Sequence, residues 1–215
     1  MKNILCYGDS NTWGCPPLEG WPITNVQRYG PDVRWGSVMR TTLGDGYWVV
    51  EEGLNGRTSV WDDPVEGEFR KGKTYLLPCL LSHAPLDLVI LMLGTNDLKH
   101  RNGLSAWDIA SGAGALIDVI QSSASGPSDS APRVLLLCPP PIGKLTIFAE
   151  MFTGSEATSR QLAPHYQQVA RDKGCEFLDV GQVIRSSDRD GIHFEAADQQ
   201  KLGRTVAERV KQILG

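Results

Sequence analysis

Nowhere in its 215 residues does the chain approach the roughly 20 consecutive apolar residues that a membrane-spanning helix needs. Its first apolar run, residues 4–7, is too short for the core of a secretory signal, so a mature start near Met1 and a cytoplasmic setting are expected. Lys/Arg-rich runs are missing and the formal net charge is −4, which removes the phosphate-neutralising term that drives nucleic-acid binding. Five cysteines, Cys6, Cys15, Cys79, Cys138 and Cys175, make an odd set without a C-x-x-C pair or a His/Cys cluster at zinc-finger spacing. Neither a disulfide scaffold nor a structural metal is expected, and reduced thiols suit a cytoplasmic protein. After the first strand there is no G-x-G-x-x-G or G-x-x-x-x-G-K-[ST] phosphate cradle, which weighs against a nucleotide- or flavin-binding module. The G-x-S-x-G signature of the strained nucleophile elbow is also missing.

What is present is ordinary in bulk and specific in detail. Apolar residues make up 41% and charged residues 21%, as in a soluble globular protein, and the length suits a single α/β domain spanning 1–215. Apolar runs at 3–7, 47–51, 86–93, 133–138 and 176–180 read as buried parallel strands. Three- and four-residue apolar spacing predicts helices over 33–43, 106–122, 156–173 and 196–214. Strands alternating with helices imply a parallel sheet covered on both faces. Long loops at 11–32 and 55–85, and a shorter one at 139–153, all follow strands, where open α/β sheets bind ligands. The Ser/Gly/Pro-rich segment 122–130 reads as a surface turn.

Chemistry concentrates at four strand ends. Gly8-Asp9-Ser10 closes the first strand, a place where a tight turn lifts a side chain above the sheet, although Ser10 could equally cap the following helix. Gly56, after the second strand, would let its N–H approach a developing oxyanion; a plain turn explains it as well. Asn96, in Gly94-Thr95-Asn96-Asp97 after the third strand, could donate its amide to the same oxyanion or close an Asx-turn. Among the four histidines, His193 alone has a carboxylate, Asp190, three residues before it in a loop-to-helix setting; His83, His100 and His165 read as surface or loop residues. The Asp190/His193 spacing permits a bond from Nδ1–H to the carboxylate, leaving Nε2 free for Ser10.

These four blocks together resemble the SGNH hydrolase superfamily, the GDSL-type esterases and lipases. Order and spacing match over the whole chain: GDSN at 8–11, Gly56, GTND at 94–97 and DGIH at 190–193. Asn11 departs from the pattern, since the family's first motif most often carries leucine there. The segments GDSNTWG, PDVRW at 31–35, EEGLNGRT at 51–58, DLVILMLGTND at 87–97 and DGIHF at 190–194 are similar to those of bacterial arylesterases, including a mycobacterial acyltransferase.

The resemblance implies a three-layer α/β/α, flavodoxin-like fold around a five-stranded parallel sheet. It implies Ser10 as nucleophile, His193 as general base and then acid, Asp190 as its orienter, and an oxyanion hole from Ser10 N–H, Gly56 N–H and the Asn96 side chain. No cofactor or metal is implied, the partner being a small-molecule ester. Relatives of the arylesterase type form oligomers, even octamers, so a homo-oligomer is expected.

The pocket is the softer expectation. Trp13, Ile147, Phe148, Met151 and Phe152 could form a narrow apolar entrance favouring short acyl chains and alcohol acceptors, or could belong to the core or an interface. Asn11, Asn55, Thr95 and Ile192 join Trp13, Phe148 and Phe152 as candidate substrate contacts. A short-chain esterase with acyltransferase capacity and a carbohydrate acetylesterase both fit, and Trp61 with Asp62-Asp63 leaves the choice open.

Overall fold

Lys2–Gly8 (β1), Tyr47–Gly53 (β2), Leu88–Met92 (β3), Arg133–Cys138 (β4) and Glu176–Asp179 (β5) form one parallel sheet of order β2-β1-β3-β4-β5 in the computed structural model, which describes residues 1–20 and 26–215. The strands of the sheet interior are apolar at nearly every position because both faces are covered. Alternate residues serve opposite layers. Leu5, Tyr7, Val89, Leu91, Val134 and Leu136 pack beneath Gly72–Ser82 (α3), Ala106–Ser122 (α4) and Leu162–Asp172 (α6). Ile4, Cys6, Leu88, Ile90, Leu135 and Leu137 pack beneath Trp35–Leu43 (α2) and Ala196–Leu214 (α7). Two short helices, Ser10–Trp13 (α1) and Ser155–Ser159 (α5), complete the set.

The expected strands, and the helices at 106–122 and 196–214, are present within a few residues of their predicted bounds. α4 starts where it does because Ser105 and Asp108 cap each other's backbone N–H groups. Two expectations need correcting. The loop expected over 55–85 contains α3, whose apolar residues (Tyr75, Leu76, Leu77, Cys79, Leu80 and Leu81) spread around most of the helix and whose Pro78 sits inside it, so it shows little helical periodicity. The single helix expected over 156–173 is two, α5 and α6, separated at Arg160 and Gln161. Part of the loop expected over 11–32 falls on residues 21–25, outside the described residues.

Strand order reverses at β1: the chain steps to β2 on one side and then to β3 on the other. Such a switch point opens a crevice beyond the carboxyl end of β1, where Ser10 stands.

Candidate active site

Ser10 begins α1 immediately after β1. The cap of this one-turn helix is Asp9, not Ser10: its carboxylate accepts the Asn11 N–H at 3.0 Å, leaving the serine hydroxyl uncommitted to the backbone. The turn can sit this close to the sheet because β2 ends in Gly53. A Cβ there would fall 2.1 Å from the Trp13 backbone nitrogen.

Ser10 Oγ lies 3.0 Å from His193 Nε2, and His193 Nδ1 lies 2.7 Å from Asp190 Oδ2. With Nδ1–H donating to the carboxylate, Nε2 is the nitrogen left to accept the serine proton. All three side chains are buried. Asp190 is fixed further by the N–H groups of Ile192 (2.8 Å) and His193 (2.9 Å) on Oδ1 and of Leu18 (2.8 Å) on Oδ2. Burial pushes the Asp190 carboxyl up, but the His193 ring and these N–H donors outweigh it and hold the group below its ordinary value. Burial likewise pulls His193 down, and the hydrogen bond and charge of Asp190 overcome it, raising the imidazole well above 6.5.

Among the described residues, the N–H groups of Ser10 and Gly56 bond to no protein acceptor. Gly56 takes φ +76°, a left-handed backbone conformation that calls for glycine. Asn96 uses one amide hydrogen on the Arg57 carbonyl at 3.1 Å, which aims the other away from the backbone. Arg57 anchors this turn from below. Its buried guanidinium donates to the carbonyls of Gly8 (2.9 Å) and Glu52 (2.5 Å) and stacks over Tyr7 at 4.2 Å.

Ser10, His193, Gly56 and Asn96 all face one cavity of about 360 Å³. One wall is apolar, built from Leu18, Phe148, Met151, Phe152 and Ile192, with Phe148 and Phe152 edge to face and the Phe148 ring 6.1 Å from that of His193. The other wall is charged. Lys99, only 2% exposed, bridges Asp63 (2.9 Å) and Glu66, and Arg101 joins the same two carboxylates at 2.7 and 3.0 Å. Arg70 and Asn55 continue it toward Gly56.

Of the expected substrate contacts, Asn55, Ile192, Phe148 and Phe152 line the cavity; Trp13, Asn11 and Thr95 do not. Trp13 lies under Arg28, 5.2 Å from its guanidinium. Thr95 stands beside Asp9. Asn11 works behind the site: its amide donates to the Ile192 carbonyl at 3.3 Å and its own carbonyl accepts from Gln199 at 3.0 Å. Ile147 packs against the core instead of lining the cavity, whereas Met151 does line it. The sequence reading missed Leu18 and Cys15, and it missed the charged wall, whose partners lie 33 to 38 residues apart.

Residues 6–201 match the GDSL-like Lipase/Acylhydrolase family. The chain belongs to that family. Among solved structures, this GDSL-type protein is similar to the aryl esterase of M. smegmatis, at 42% identity and a TM-score of 0.94, with both chains covered in full. A carbohydrate acetylesterase from Sinorhizobium meliloti has 38% identity and a TM-score of 0.94, again over the whole of both chains. An acetylxylan esterase from Xylanibacter ruminicola is 24% identical over 97% of this chain, which spans 43% of that relative's length. The GDSL-type chain is a carboxylic ester hydrolase with the α/β fold of the SGNH hydrolases. Among the described residues no helix is long and apolar enough to cross a membrane.

Proposed function

We propose that this esterase cleaves short-chain carboxylic esters, aryl or small alkyl acetates, through an acyl-serine on Ser10. The supporting observation is the unbroken bond chain from Ser10 through His193 to Asp190 at the floor of the cavity, at 3.0 and 2.7 Å. Ser10 Oγ attacks the ester carbonyl while His193 Nε2 takes its proton, and Asp190 holds the imidazolium that results. The carbonyl oxygen becomes an oxyanion beside the N–H groups of Ser10 and Gly56 and the free amide hydrogen of Asn96. Each such donor lowers the barrier by about 3 kcal/mol. His193 returns the proton to the leaving alkoxide, and water or an alcohol then attacks the acyl group by the same steps in reverse.

The apolar wall favours an alcohol over water as the second acceptor, and on it rests the proposal of acyltransferase activity. A second reading, deacetylation of sugars, has its own support in the charged wall of Glu66, Arg70, Lys99 and Arg101, which offers donors and acceptors suited to hydroxyl groups. Val65, on the cavity rim, is 72% exposed and Phe69 close by 62%, an apolar surface that a second copy of the chain would cover, so we also propose a homo-oligomer. Five unpaired cysteines favour a cytoplasmic home.

The deciding experiment measures 4-nitrophenyl acetate hydrolysis by the native chain and by Ser10→Ala. Abolished turnover in a variant with unchanged circular dichroism supports the reading, and retained turnover rejects it. A series of acyl chain lengths, run beside sugar acetates with an alcohol acceptor present, separates the two substrate classes and measures transfer against hydrolysis.

A further inference from the structure

Away from the cavity, one mixed set of metal-ligating side chains meets at the edge of the sheet. Glu52 comes from β2, and Cys79 and His83 stand one turn apart at the end of α3. One ligand atom from each lies within 4.8 Å of the other two, and His83 Nε2 is 3.1 Å from Glu52 Oε1.

Four features distinguish this set from a chance ion pair beside a core cysteine. The Cys79/His83 spacing of four places thiol and imidazole on one helix face, and the His83 N–H donates to the Cys79 carbonyl at 3.2 Å, which fixes the two backbones together. The cluster sits at the C-terminal end of α3, where the aligned carbonyl dipoles favour a cation. The donors are one sulfur, one imidazole nitrogen and one carboxylate oxygen, a combination that suits Zn²⁺ and not Mg²⁺ or Ca²⁺. A path exists as well: Cys79 is fully enclosed, while the His83 and Glu52 side chains are 30% and 24% exposed and form the outer side of the cluster.

We infer that Glu52, Cys79 and His83 form a binding site for a soft divalent cation, with Zn²⁺ the best match, separate from the hydrolytic centre. Cys79 ligates as the thiolate, its proton passing to solvent, and a water completes the tetrahedron. The carboxylate and thiolate balance the two charges of the ion. Burial and the Glu52 charge push the Cys79 thiol up to about 12 while Arg57 pulls it down, so it is the incoming ion that displaces the thiol proton. Binding ties α3 to β2 and so stabilises the folded state by mass action.

The test uses the whole protein after dialysis against a chelator, titrated with Co²⁺ and then Zn²⁺. The expected result is a thiolate-to-cobalt charge-transfer band that saturates at one equivalent per chain, is bleached by Zn²⁺, and is accompanied by a rise in Tm with Zn²⁺. Cys79→Ser should abolish the band. His83→Gln, at a partly exposed position, should weaken Co²⁺ binding about tenfold or more. The cavity offers a competing thiol and imidazole in Cys15 and His193, so Cys15→Ala must keep both band and affinity. A native chain without the band, a His83→Gln variant of native affinity, or loss of the band in Cys15→Ala would each overturn the site.

Discussion

The Asn11 side-chain amide donates to the Ile192 carbonyl at 3.3 Å, joining the residue after Ser10 to the residue before His193 across 181 positions of sequence. The nucleophile and its base are carried by loops at opposite ends of the chain, and this bond fixes their separation. Replacing Asn11 by leucine, the residue most often found there in the family, removes the bond and also a buried acceptor, Asn11 Oδ1, that has no partner. A neutral hydrogen bond contributes about 1 kcal/mol. The expected outcome is a kcat about fivefold lower with KM little changed and Tm nearly constant, measured by steady-state hydrolysis and thermal melts.

Arg57 supports the oxyanion turn through two carbonyls, those of Gly8 and Glu52, while its own carbonyl orients Asn96. A lysine keeps the charge but cannot reproduce the planar fork. Arg57→Lys should therefore destabilise the fold by about 2–3 kcal/mol, the cost of leaving buried carbonyls poorly paired, with kcat falling more than KM rises. Urea unfolding and steady-state kinetics on one preparation check both parts.

The pH dependence follows from His193. Ser10 can be deprotonated only when the imidazole is neutral, and Asp190 raises its pKa despite burial. Activity should rise with pH along a limb centred above 6.5, the value of a free imidazole. Asp190→Asn, which removes the charge beside Nδ1, should move that limb toward lower pH. The same ion pair contributes stability that is fully present below the unfolded imidazole's pKa and is lost as pH rises through the folded one. A pH–kcat/KM profile of the two proteins measures the first effect, and Tm against pH the second.

Much of this site was legible in the chain because its parts sit at strand ends that apolar runs mark clearly. Ser10, Gly56 and Asn96 each follow such a run, and the Asp190/His193 pair lies in the loop before the last helix, so their common location at one end of the sheet is readable from order. The walls were not legible. Trp13 reads equally as an entrance residue or as a core or interface residue, because a four-residue helix has too little periodicity to say which side faces the cavity, and in the structure it lies under Arg28. Lys99 and Arg101 meet Asp63 and Glu66 only because the 55–85 segment folds back over the β3 end, a long-range pairing that leaves no local signal. Pro78 and an apolar arc widened by Tyr75 and Cys79 hide α3 for a related reason: helix signals presuppose one narrow buried stripe.

The central claim is that Ser10 is the attacking nucleophile, and a 4-nitrophenyl alkylphosphonate tests it most directly. Serine oxygen attacks phosphorus, an O–P bond forms, and 4-nitrophenolate leaves, with no carbonyl available for deacylation. The account predicts one nitrophenolate released per chain, the phosphonyl group on the peptide containing Ser10, and no release from Ser10→Ala. A stable adduct on another residue, or equal labelling of Ser10→Ala, would contradict it.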